Sequence, residues 1–276
     1  MKRIHRNTYP FLLLFIFHAS LLAFAFYKKP EKKSLLALLF SNIGFAYIFE
    51  YIVLNLFQAY RYYPKVLKDR QLDNLFGAIL SQAIFVPFTS TFLTAFKAGW
   101  KTKLLFGLFF TLVEQLFQKI GVYKQNWWKT IFTFILLPIY FVISDKWYDH
   151  LKNGTRFVLF SSLYLCILVT GTTLHYAGAV LGYFRFGLGS IHSWREHFLI
   201  TPIYAILQAF ITIWTVIKGG WRLKVIQILL SSMIDLILNK FKLVKKNFAF
   251  PFQNVFLHIL MLYVSSLFKD LVIRPK

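Results

Sequence analysis

Long apolar runs separated by short polar connectors set the pattern of this chain. Residues 10–27, 34–59, 72–96, 127–144, 157–184, 198–217 and 248–268 are apolar stretches, each near the length of about 20 residues that a helix needs to cross a hydrocarbon core. Two shorter runs, 104–118 and 223–238, carry polar residues at helical spacing: Thr111, Glu114, Gln115 and Gln118 in one, Gln227, Ser231, Asp235 and Asn239 in the other. Each predicts an amphipathic helix with a continuous polar stripe. Such a helix either lies in the membrane interface or spans with its stripe turned toward other helices. The pattern therefore predicts an all-α, polytopic transmembrane helix bundle of seven to nine helices, organised as one integral membrane domain over residues 1–276. The connectors leave no room for a separate soluble domain, and the run pattern suggests no internal repeat.

Composition sharpens the class. The 276 residues are 58% hydrophobic and 15% charged, with a mean hydropathy of +0.57; a soluble domain carries about a quarter charged residues. Disorder, collagen and a disulfide scaffold are excluded on the same grounds, and the single cysteine, Cys166, lies inside an apolar run. The formal net charge of +22 does not point to nucleic acid. The positive residues come in short bursts between the runs: Lys28, Lys29, Lys32 and Lys33, then Arg61, Lys65, Lys68 and Arg70, then Lys240, Lys242, Lys245 and Lys246. Bursts so placed sit at headgroup level, where anionic lipids attract them by about 1 kcal/mol each. The expected partner is the lipid bilayer, anionic lipids in particular. All seven tryptophans fall near the ends of runs, as interfacial indoles do. In a nine-span arrangement Lys and Arg divide evenly between the two sides, so charge does not orient the chain. Lys2, Arg3 and Arg6 ahead of an apolar run resemble a signal sequence, but the many later runs favour an uncleaved anchor.

Ionisable and amide groups inside apolar runs are the functional pointers, because burying them in hydrocarbon costs several kcal/mol. The candidates for a polar binding cavity are Glu50, Asn55, Glu114, Gln115, His175, Asp235 and His258, with His18 in the first run. Either they line a cavity that binds or moves a small solute, or they bond helix to helix. Gly178 and Gly182 form a GxxxG pair on the face of His175, a site for close helix–helix approach and for self-association. Asn254 and His258 stand one turn apart. Pro87, Pro138, Pro202 and Pro251 predict kinks. His192 and His197 bracket Ser193 to Glu196 at a spacing that is not a zinc helix, and this stretch reads as a solvated loop. No pattern implies a metal site, a cofactor or a catalytic residue.

Two segments carry a resemblance. Glu114 through Thr130 (EQLFQKIGVYKQNWWKT), and Tyr60-Arg61-Tyr62-Tyr63-Pro64 followed by Asp73-Asn74-Leu75-Phe76-Gly77, resemble a group of multi-pass membrane proteins of unknown function from low-GC Gram-positive bacteria, over about residues 40–150. The resemblance implies a bacterial plasma membrane location and no activity. Glu114-Gln115-Leu116-Phe117-Gln118-Lys119 matches only the first Glu of the Glu-Glu-x-x-x-Arg helix of intramembrane CAAX-type proteases. An enzyme acting on a lipid or peptide in the membrane is thus the alternative to a structural, lipid-interacting or solute-binding protein.

Overall fold

In the computed structural model, residues 5–188, 191–246 and 250–273 are described, apart from the side chains of 246 and 250–253. The fold is an all-α bundle. Among the described residues seven helices are long and apolar enough to cross a membrane, and on that length and composition the chain is a multi-pass membrane protein. The chain divides into two compact units, Met1–Val158 and Leu159–Lys276.

In the first unit, α1 (Thr8–Lys28) precedes α2 (Lys32–Glu50), which runs on through a π-helical segment, Tyr51–Leu56. Strand β1 (Tyr60–Tyr62) follows, and then α3 (Arg70–Ile79), a second π-helical segment (Leu80–Phe85) and α4 (Val86–Ala95), which form one continuous helix. The unit closes with α5 (Trp100–Lys119), β2 (Tyr123–Gln125) and α6 (Thr130–Lys152). β1 and β2 pair antiparallel, Tyr60 opposite Gln125 and Tyr62 opposite Tyr123. The β1–α3 connection is tied by buried Asp73, whose carboxylate accepts from the backbone N–H groups of Lys65, Val66 and Leu67. Asn74 accepts the N–H of Tyr62, and Asp69 caps α3 by accepting from Gln71 and Leu72, satisfying donors that a helix start leaves open.

Polar groups also join the long helices. Asn42 donates to Thr91 at 3.2 Å and to Ser144 at 3.0 Å, linking α2, α4 and α6. Thr94 donates to Asp145, which also pairs with Lys103 of α5. Gly107 lies so close to Pro138 that an added Cβ would come within 2.8 Å of the ring, so the prolyl ring of α6 packs into a notch on α5.

The second unit runs α7 (Arg156–Val180), β3 (Phe184–Phe186), α8 (Trp194–Lys218), α9 (Trp221–Lys240), β4 (Val244–Lys246) and α10 (Phe250–Ile273). This is the order that α2, β1, α3–α4, α5, β2 and α6 follow in the first unit. β3 and β4 pair in the matching register, Phe184 opposite Lys246 and Phe186 opposite Val244. The tight turns agree as well: Val122 N–H bonds to Phe117 O after α5, and Leu243 N–H to Leu238 O after α9. Contrary to the expectation from the run pattern, the chain contains a repeat. Its trace in the sequence is Thr94-Ala95-Phe96-Lys97-Ala98-Gly99-Trp100-Lys101-Thr102-Lys103 against Thr215-Val216-Ile217-Lys218-Gly219-Gly220-Trp221-Arg222-Leu223-Lys224. Elsewhere apolar residues replace one another, and at some positions a polar residue replaces an apolar one, which erases the identity.

Other expectations change too. The two short amphipathic runs are full 20-residue helices, α5 and α9, and in α9 the stripe of Gln227, Ser231 and Asp235 is buried, so it faces protein. Gly178 and Gly182 do not share a helix face: α7 ends at Val180, and Gly182 takes a left-handed φ of +75° in the turn beyond. What approaches Gly178 is the ring of Phe184, 2.7 Å from an added Cβ. The His192–His197 stretch is not a loop throughout, since α8 begins at Trp194 with Ser193 as its cap, and its two histidines are buried although Arg195 is exposed. His197 is buried and accepts the N–H of Phe186, and buried His192 bonds to the carbonyl of Lys242. Both rings brace the β3–β4 region. Pro87 sits at the start of α4, whereas Pro138 and Pro202 lie inside α6 and α8; Pro251 lies outside the described side chains.

Candidate functional site

The first unit encloses a cavity of about 440 Å³, within the range of about 300–1,000 Å³ that small-molecule sites occupy. Its walls come from α1, α2, the second π-helical segment, α5 and α6, and most of its lining is aromatic or aliphatic, with Phe11, Phe45, Phe85, Phe110 and Phe117 among it. Phe49 of α2 and Leu136, Ile139 and Ile143 of α6 line the cavity and are also exposed on the outer surface. They form an apolar rim between these two helices.

Polar groups gather on other parts of the wall. Glu114 projects from α5 and accepts from Gln125 Nε2 at 2.6 Å through one oxygen and from the Thr133 hydroxyl through the other. Thr133 in turn accepts from Trp128 Nε1 at 2.9 Å, and Gln125 also donates to Thr130. Glu50 stands behind the lining. One of its oxygens accepts from Tyr60 Oη at 2.5 Å and from Gln82 Nε2 at 3.1 Å, and both donors line the cavity. The other oxygen of Glu50 is buried without a partner. The rings of Tyr60, Tyr62 and Tyr123 pack together with centroids 5.1–5.6 Å apart, Tyr60 edge-on to Tyr62 and Tyr123 tilted against both, with Trp128 edge-on against Tyr60 at 5.6 Å. Burial, and then the adjacent Glu50 carboxyl, push the Tyr60 phenol well above the usual tyrosine range, so it stays protonated and donates.

Both π-helical segments adjoin this wall. The first begins directly after Glu50, and the second holds Ser81, Gln82 and Phe85. A π turn inserts a residue into an α-helix and is frequent at functional sites; here it turns Gln82 toward Glu50. His18 of α1 lies fully buried, stacked on Phe85 at 5.1 Å and bonded to Leu14 O, as part of the aromatic packing behind the cavity.

The second unit has its own cluster. Asp235 of α9 accepts from Tyr204 Oη at 2.5 Å, from Asn254 Nδ2 at 2.8 Å and from His258 Nε2 at 2.8 Å. His175 bonds to Gly171 O and packs edge-on against Tyr204. Of these side chains His175, Tyr204, Asn254 and His258 line a cavity of about 30 Å³, with Asp235 behind them.

Of the residues predicted for a polar cavity, Glu114 lines the large cavity and Glu50 supports it, while His175 and His258 line the small one beside Asp235. Gln115 is exposed, since one helical step from Glu114 carries it to the outer face. Asn55 is half-buried in the π-helical segment and is not among the lining side chains. Tyr60, Tyr62, Tyr123, Trp128 and Gln82 also line the cavity, although none is among the candidates named from the sequence. The i, i+2 placement of Tyr60 and Tyr62 on one strand face is the signal the sequence offers for them. Among the described residues no cluster of three or more His, Cys, Asp or Glu is placed to hold a metal ion.

What fold and site define together is a multi-pass membrane helix bundle with an internal cavity. No family model, curated protein or solved structure matches the chain.

Proposed function

We propose that the first unit binds a lipid-like amphiphile, with its chain in the aromatic cavity and a hydrogen-bond-donating head, hydroxyl or amine, at Glu114. The observation that carries this reading is the cavity itself, whose apolar lining reaches the outer surface at Phe49, Leu136, Ile139 and Ile143 and which includes an acceptor carboxylate. A soluble polar solute would need a hydrated path, whereas a chain already dissolved in the bilayer enters across an apolar rim. The basic bursts beside the runs support anionic lipids as the surrounding phase. The resemblance over residues 40–150 supports a bacterial plasma membrane as the location.

The test uses the purified full chain in detergent and native mass spectrometry with a long-chain alkylamine and the fatty acid of equal length. The amine is expected to remain bound one-to-one and the acid to be lost, because an ionised carboxylate would face Glu114. Glu114→Gln should weaken the amine by about tenfold, the equivalent of one lost bond of about 1.4 kcal/mol. Equal retention of amine and acid, or of neither, would remove the proposal.

A further inference from the structure

The two units can be compared position by position along their shared element order. Glu114 and Asp235 are each the fifteenth residue of a 20-residue helix. Thr133, which donates to Glu114, and Asn254, which donates to Asp235, each stand eight residues beyond the end of the second strand. Glu50 precedes its first strand by ten residues and His175 by nine; the π-helical segment after Glu50 accounts for the extra one. The small cavity of the second unit therefore occupies the place in its fold that the large cavity occupies in the first.

The lining has changed character. At the seventh and eleventh positions of the 20-residue helix the first unit has Phe106 and Phe110, and the second has Gln227 and Ser231. Seven residues before the shared threonine, Thr94 or Thr215, stand Pro87 and Gln208. Two of the replacements bond to each other, Ser231 donating to Gln208 Oε1 at 2.8 Å, while Gln227 Nε2 donates to Thr212 at 2.7 Å. Each glutamine then keeps one unpaired amide atom. Gln208 Nε2, a donor on a side chain that also lies beside the Tyr204 phenol, and Gln227 Oε1, an acceptor, are both buried with no hydrogen bond of normal length, on residues 7% and 3% exposed that line the cavity. Leaving such an atom unpaired costs about 1–3 kcal/mol, so two of them beside one space imply an occupant.

We propose that the second unit carries a binding site for a water-sized neutral guest that accepts a hydrogen bond from Gln208 Nε2 and donates one to Gln227 Oε1. The guest must do both, which excludes a bare cation and a halide. A water needs about 10–15 Å³ of such space, so the cavity of about 30 Å³ admits one or two molecules and no alkyl chain. Tyr204, held against Asp235, is part of the cavity wall. The site is independent of the amphiphile reading, which concerns the first unit.

The test is a density map of the full chain, in detergent or nanodisc, clear enough to show ordered solvent. Discrete density within hydrogen-bond distance of both amides is expected. It should be lost in Gln227→Leu while the Tyr204–Asp235 contact persists. Direct contact between the two glutamine amides with nothing between them would overturn the proposal. So would elongated, chain-shaped density at this place, or density unchanged in Gln227→Leu. Should the variant not fold, the wild-type map alone decides.

Discussion

Glu50 shows how one side chain serves a site it does not line. It holds Tyr60 and Gln82 through a single oxygen, so its removal acts through those two donors. Glu50→Leu should leave the Tyr60 hydroxyl and the Gln82 amide unpaired in a buried place, at about 1–3 kcal/mol for each, read as a lower melting temperature of the detergent-held protein. Glu50→Gln keeps an acceptor and the shape, and its loss should be small. Equal melting temperatures for wild type and Glu50→Leu would show that Tyr60 and Gln82 find other partners. That Glu50 matters was legible in the sequence, because a carboxylate inside an apolar run needs a reason. Its partners were not, since Tyr60 lies across a turn and Gln82 on another helix. Tyrosine is common at a membrane surface, so residue type alone does not mark Tyr60 as buried, which it is.

At the scale of elements, the amphipathic stripes of α5 and α9 were readable, and the direction they face was not. A polar stripe alone permits a helix lying on the membrane. What decides is partners: Gln227, Ser231 and Asp235 meet Thr212, Gln208 and Tyr204 of α8. The α5–α6 contact rests on Gly107, where the ring of Pro138 occupies the room of a side chain. Gly107→Leu should destabilise by about 1–3 kcal/mol, as overpacking does, because a ring in the middle of a helix cannot move aside without its backbone. Gly99→Leu, where an added Cβ meets nothing, is the control, and it should melt close to wild type. The comparison is read by thermal unfolding in one detergent. Equal melting of Gly107→Leu and wild type would mean that α5 and α6 separate freely at this point.

For the whole molecule, seven helices with the length and apolar composition of membrane spans predict that the protein stays with membranes through carbonate and high-salt washing and leaves them only with detergent. Recovery in the wash would end the class assignment. The number and kind of helices followed from the sequence, because hydrocarbon requires long apolar helices whatever their neighbours, and this requirement is written locally, residue after residue. The short β1–β2 and β3–β4 pairings, the π turns and the repeat depend on which distant segments meet. Strands of three residues carry too little pattern to be seen, and a repeat whose apolar residues exchange freely leaves identity only at a turn such as Lys97–Trp100 and Lys218–Trp221. Thus the sequence by itself determined that this chain crosses a membrane as a helix bundle and which buried groups needed partners. Only the tertiary structure decided that Glu114 borders a large cavity while Asp235, at the same place in its own unit, stands beside a small one, since cavity volume depends on side chains from several helices at once.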